Sequence, residues 1–220
     1  MISPNKLIGS LVFRTRNALD WNKEFKDNLL SYPYSKNCLV NNHFLLWHYP
    51  GTNNEISNAL LEIGKHPNGA RLKFPSFLNF QPIRQENRGN EVTIFYNIAI
   101  VGTVKSTWMT EKREHEVFEK VLRPVYEEFI RQIQACRYFK TDYGKPDHTY
   151  YEIFTTGESA GEIIKRYGDN IDAIEIHGMA LKLNTNLCKS DFLTIERENA
   201  AVTSGIKGIL NFREEVSILP

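Results

Sequence analysis

Residues 91–104 place the tightest limit on the fold, because Val92, Ile94, Tyr96, Ile98 and Ile100 alternate with Thr93, Phe95, Asn97, Ala99 and Val101. A period-two run that is largely apolar on both sides predicts a strand covered on both faces, in the middle of a sheet. Such a strand needs packing layers, and the longest helical signal, from Glu111 to about Arg137, offers one. Phe118, Val121, Leu122, Val125, Phe129, Ile133 and Cys136 form its apolar stripe. Thr110 reads as its N-cap, with Glu111 and Glu114 in the first turn and Arg131 and Arg137 near the end, as the helix dipole favours. Pro124 predicts a kink, or the first turn of a second segment, because it removes one backbone donor.

The flanking segments read less strongly. Leu7, Leu11, Ala18, Trp21, Phe25 and Leu29 recur at spacings near three and four, which predicts one or two amphipathic helices with Arg14, Arg16, Lys23, Lys26 and Asp27 facing water. The aromatic run from His43 to Tyr49 reads as a short strand stopped by Pro50 and Gly51. Asn53 or Asn54 then caps a helix carrying Ile56, Leu60 and Ile63. Residues 71–82 hold Pro75 and Pro82, which predicts a sheet edge or a bulged strand. Residues 84–90 read as a polar loop, 143–147 as a turn, 150–154 as a short strand and 158–167 as a short helix closed by Gly168. Residues 171–183 read as a strand with a bulge at Gly178. Residues 184–220 are polar and weakly periodic, with an apolar patch from Ile206 to Phe212, and read as an arm.

No internal repeat or low-complexity stretch is present. The pattern predicts an α+β fold: a small, mostly antiparallel sheet with a long helix packed across it, an N-terminal helical region and a C-terminal arm. The boundaries fall at 1–70 for the helical and strand extension, 71–183 for the α+β core and 184–220 for the arm. Lys and Arg number 27 against 26 Asp and Glu, so no long-range field draws the chain onto nucleic acid or an anionic membrane. No run approaches the roughly 18 apolar residues that span a bilayer, and the first residues lack the pattern of a signal peptide. Cys38, Cys136 and Cys188 are widely spaced, odd in number and without a CxxC pair, which points to a reducing cytosol and to neither a disulfide framework nor a zinc site.

Reactive constellations are few. His43 and His48 would point to opposite faces of a strand, which opposes shared metal ligation. His115 and His148 lie near acids, as a helix surface or loop would place them. Asp147 with Glu152 outlines the acidic half of a metal-dependent nuclease, but no Glu-x-Lys follows. Asp169, Asp172 and Glu175 surround the last strand and read as surface charge. Gly157, Glu158, Ser159, Ala160 and Gly161 match the nucleophile-elbow pattern Gly-x-Ser-x-Gly, with Ser159 as nucleophile. The same letters make an ordinary helix start, with Ser159 as N-cap and Glu162 completing a capping box. No phosphate loop is present, and no residue is assigned a catalytic, cofactor-binding or metal role.

Aromatic residues reach 12% of the chain, and Tyr32, Tyr34, Tyr49, Phe74, Phe77, Tyr138, Tyr143 and Tyr150 fall in irregular segments or near prolines. Any one of them can serve the core, but together they suggest a surface built for subunits. The order of parts from Lys73 to Leu183 resembles the tail terminator and head-to-tail completion proteins of tailed bacteriophages. Phe74 to Phe80 looks like their first sheet strand, Val92 to Ile100 like the central strand, Thr110 to Ile133 like the crossing helix, and Asp172 to Ile176 like the closing strand. The resemblance covers about half the chain and implies a non-enzymatic virion protein, made in the bacterial cytoplasm. It implies a homo-oligomeric ring of six or twelve copies that contacts other neck, portal or tail proteins and lets DNA pass without specific binding. A small hydrolase using Ser159, or a nuclease using Asp147 and Glu152, is the alternative.

Overall fold

The computed structural model describes residues 3–31, 38–66, 73–140, 144–155 and 167–203. In chain order the elements are α1 (Pro4–Trp21), α2 (Lys23–Leu30), β1 (Leu39–Val40), β2 (His43–Phe44), β3 (Trp47–Gly51), α3 (Asn53–Gly64), β4 (Ser76–Arg88) and β5 (Glu91–Thr103). A long helix α4 (110–135), β6 (Phe139–Lys140), β7 (Thr149–Ile153), β8 (Ile171–Leu183) and α5 (Lys189–Ala200) follow. The main sheet runs β3-β4-β5-β8-β6, and β7 pairs with the same edge of β8 as β6 does, further along the strand. Only β3 with β4 is parallel; every other pair is antiparallel. The fold is α+β, with β5 in the centre as its two apolar faces require.

Alternation along β5 divides the interior in two. Ile94, Tyr96, Ile98 and Ile100 point to a large core filled from α1, α2, α4 and α5, where Phe77 meets Phe129 at 4.7 Å between ring centroids and Phe118 meets Phe154 at 4.5 Å. Ala99 and Val101 point the other way, into a smaller core under α3 with Trp47, Tyr49, Leu60 and Ile63. Each buried side chain of Leu or Phe size contributes about 1.5–3 kcal/mol, so the stripe of α4 (Phe118, Val121, Leu122, Val125, Phe129, Ile133) anchors the fold.

Pro124 is accommodated without a break. The helix opens with an α turn (Thr110–Arg113), widens to a π-helix over Glu114–Leu122 and resumes as α over Arg123–Ala135, with the Arg123 N–H donating to Phe118 O. Pro124 thereby falls in the first turn of the last segment, where a missing donor costs least. Met109, not Thr110, holds the N-cap position.

Other boundaries shift for local reasons. Thr52 rather than Asn53 or Asn54 caps α3, accepting from the Glu55 N–H while the Glu55 carboxylate accepts from the Thr52 N–H at 2.7 Å. β3 runs through Pro50 and Gly51. In β3 the Trp47 N–H points to Pro75 O on the β4 side and the His48 N–H points outward to Val202 O at 2.7 Å. Pro50, two residues on, therefore lacks its donor on the outer edge, where no β4 bond is lost. β4 is not an edge strand, since β3 and β5 flank it, but its register does shift between Phe80 and Arg84. Residues 84–88, expected as a loop, continue β4 to a two-residue turn at Gly89 and Asn90, where Gly89 has φ +59°. Gly178 supplies the expected bulge with φ +64°, and its N–H donates to Asn97 Oδ1.

The largest departure lies after residue 184, where the sequence predicts an arm. Residues 189–200 instead form α5 against α1, and Ile195 and Val202 join the large core. Gly9 permits the close approach, because a Cβ there would overlap Asn199. Arg14, expected in water, turns inward to Glu198 at 3.1 Å, and Glu198 also accepts from Ser10. Trp21, expected on the apolar stripe, is 86% exposed. Residues 158–166 of the expected helix and residues 204–220 lie outside the described residues.

Candidate functional site

The acids singled out in the sequence do not converge. Glu152, on β7, accepts from Arg123 Nε and Nη2 at 2.8 Å each and from the Tyr150 hydroxyl. Arg123 also donates to Glu114, so one guanidinium is shared between two carboxylates. These bonds hold the Glu152 carboxyl below its ordinary range, with Arg123 the main cause. Asp147 is exposed in the loop before β7, and its carbonyl accepts from the Ala180 N–H at 3.1 Å. Both Glu152 oxygens being engaged by arginine, the pair presents no ready site for a divalent cation. Among the described residues no group of three or more His, Cys, Asp and Glu is placed to hold a metal. Ser159 and its glycines lie outside the described residues.

The acids around β8 correct the surface-charge reading. Asp172 is fully buried, where it receives Arg113 Nε at 2.7 Å, a second guanidinium nitrogen and the Thr155 N–H at 3.0 Å. This pair ties the first turn of α4, the start of β8 and the chain just after β7. Asp169 pairs with buried Lys73, whose ammonium also donates to Tyr167 O at 3.0 Å and Leu60 O at the end of α3. Only Glu175 sits on the surface, beside His177 at 2.8 Å.

The histidines also separate. His43 is exposed and contacts Asp20 at 2.9 Å. His48 is fully buried, its ring and the Asn199 amide flanking Gly9. Burial pushes His48 down to about 3, outweighing Asn199, which acts the other way. His115 pairs with Glu119 on the helix surface, and His148 contacts the Tyr126 hydroxyl at 2.8 Å.

Among the described residues, most aromatics suspected of serving a surface serve the core. Tyr49, Phe74, Phe77 and Tyr138 are buried, and only Tyr150 is exposed; Tyr32, Tyr34 and Tyr143 lie outside the described residues. Exposed apolar side chains that sequence reasoning missed are spread over Leu30, Met109, Phe192 and Leu193, and two more, Tyr151 at 50% and Ile153 at 37%, lie together on β7. Register with β8 places both on the α3 side of the sheet, opposite Glu175 and Ala173, while Tyr150 and Glu152 face α4. Among the described residues β7 pairs with β8 alone, leaving its other edge open. Thr149-Tyr150-Tyr151-Glu152-Ile153 has bulky residues on both sides, so its alternation carried no sign of which side is wet.

Among the described residues a cleft of about 770 Å³ opens at the start of α4, lined by Trp108, Met109, Glu111, Lys112, Glu114 and His115 among others, and a smaller one of about 320 Å³ lies between α2 and α4. Lys112 lies 5.0 Å from the Trp108 ring centroid. Among the described residues no helix is long and apolar enough to cross a membrane. No protein-family model, curated protein or solved structure matches this chain.

Proposed function

We propose that this chain is a structural subunit that works by shape and self-association, joining head to tail into a ring of six or twelve copies. Such a ring would act as a neck or tail-terminator-like connector in a tailed phage particle, between portal and tail. The single observation that carries the reading is the open edge of β7. An edge strand presents unpaired N–H and C=O groups that accept another strand, and soluble proteins usually blunt such an edge with lysine, proline or a bulge. This one carries Tyr151 and Ile153. The near balance of charge agrees with a channel through which DNA passes without sticking. Engagement of Glu152 by Arg123 disfavours the nuclease alternative.

Native mass spectrometry of the full chain at micromolar concentration tests this reading. The expected result is one closed multiple of the chain mass, six or twelve, recovered also from virion fractions. A monomer with hydrolytic activity lost on Ser159→Ala, or magnesium-dependent nuclease activity lost on Asp147→Ala, would overturn it.

A further inference from the structure

His48 is enclosed where β3, α1 and α5 meet. Its ring and the Asn199 amide of α5 flank Gly9 of α1. Just past α5, Val202 O accepts the His48 N–H at 2.7 Å and Thr203 bridges His48 in parallel. Although the side chain is fully buried, neither ring nitrogen has a partner in hydrogen-bond geometry among the described residues. The charged groups of this seam serve each other and the backbone. Lys6 of α1 meets Glu196 of α5 at 2.7 Å, Arg14 meets Glu198 at 3.1 Å, and Arg16 donates to Ala201 O at 3.2 Å. From β4 the same face of the sheet brings Phe77 and Asn79, neither of which titrates. A proton on this ring is therefore a buried charge without a counter-ion, which is costly unless the ring reaches water.

Of the two helices over the ring, α5 parts more easily. α1 sinks Leu7, Ile8, Leu11, Val12 and Leu19 into the large core, whereas α5 contributes Ile195, with Val202 following it. The other buried positions of α5 are Asp191 and Glu198, whose carboxylates water solvates once they are uncovered. Segments with few buried apolar contacts open first. We propose that residues 189–203 form a strap that a proton on His48 releases, baring the outer edge of β3 while the sheet and α4 stay folded, whether or not the chain assembles into a ring. Opening gives the imidazole access to water and so to a proton; closing withdraws it. Acid therefore draws the equilibrium toward the open form. Near neutrality the strap keeps the His48 N–H occupied, and once parted it leaves that donor on an unpaired strand edge.

Hydrogen exchange of the full-length chain, read by mass spectrometry and corrected for the effect of pH on the intrinsic rate, tests this. From about pH 7.5 to about pH 5.5 the protection of residues 189–203 is expected to fall roughly tenfold, as for a histidine that takes its proton only in the open form. This window lies above the ordinary carboxylate range. β5 and α4 are expected to keep their protection, and His48→Leu to abolish the fall. The substitution leaves the other histidines in place, all off this seam: His43 beside Asp20, His66 after α3, His115 beside Glu119, His148 beside Tyr126 and His177 beside Glu175. A fall that persists in His48→Leu, protection of residues 189–203 that ignores pH, or a fall shared equally by β5 and α4 overturns the strap. Should His48→Leu not fold, His48→Gln, which keeps a polar group but takes up no proton, carries the same expectations.

Discussion

The edges at β3 and β7 belong to one sheet and are finished in opposite ways. At β3, Trp47, His48 and Tyr49 are buried, the outward N–H of His48 is taken by Val202, and Pro50 removes the next outward donor. At β7, Tyr151 and Ile153 are exposed, with β8 on one side and no described strand on the other. Sealing the first edge uses α5, which brings Val202 into place by packing on α1 through Lys6–Glu196, Arg14–Glu198 and the close approach at Gly9. An edge sealed by the chain itself serves stability, whereas an unpaired edge presents N–H and C=O groups to any strand that meets it.

Three perturbations break or sharpen this contrast, in decreasing order of expected effect. Asp172→Ala removes the anchor beneath the end of β7 and leaves Arg113 buried without its carboxylate. Breaking a buried pair in this way costs about 3–5 kcal/mol, to be read from the midpoint of urea unfolding. The open edge should loosen with it, because the Thr155 N–H loses its acceptor, and hydrogen exchange at residues 149–155 should speed up.

His48 gives the sealed edge a pH signature. Its folded value of about 3 lies below the ordinary 6.5, so between these the unfolded chain takes up a proton that the folded chain refuses. The contribution is fully present above about pH 6.5 and is lost progressively as pH falls toward 3. Urea midpoints measured across this window should decline toward acid, and His48→Leu should flatten that part of the profile. An unchanged slope in the variant would show that the ring at the β3 edge is not held neutral.

The smallest effect on folding is expected from Tyr151→Lys alone. An exposed substitution shifts stability by no more than about 0.5 kcal/mol, so its thermal midpoint should match the parent's under dissociating conditions. Its tendency to associate should fall all the same. A large loss of stability would mean that β7 is part of the core and not a docking edge.

Elements with a clean period were legible in the chain. β5 and β8 show alternation, α4 and α3 show a 3.6-residue stripe, and Gly178 marked its bulge because a left-handed backbone favours glycine. α5 was not legible, because its buried positions include Asp191 and Glu198. Asp191 is satisfied by the Cys188 N–H at 2.9 Å and by Arg137, and Glu198 by Ser10 and Arg14. Partners on α1 and at the end of α4, distant in sequence, make a polar stripe into a packing face. Asp172 was misread for the same reason, since Arg113 and the Thr155 N–H together make its burial tolerable.

The order of residues by itself determined the α+β class, the central strand, the crossing helix and the near neutrality of the chain, because these follow from local periodicity and composition. Tertiary structure alone decided which charges are buried, which aromatics face water and which sheet edge has no second strand among the described residues. Those outcomes depend on pairings between distant segments, and a side chain's cost of burial is set by the partner it meets there.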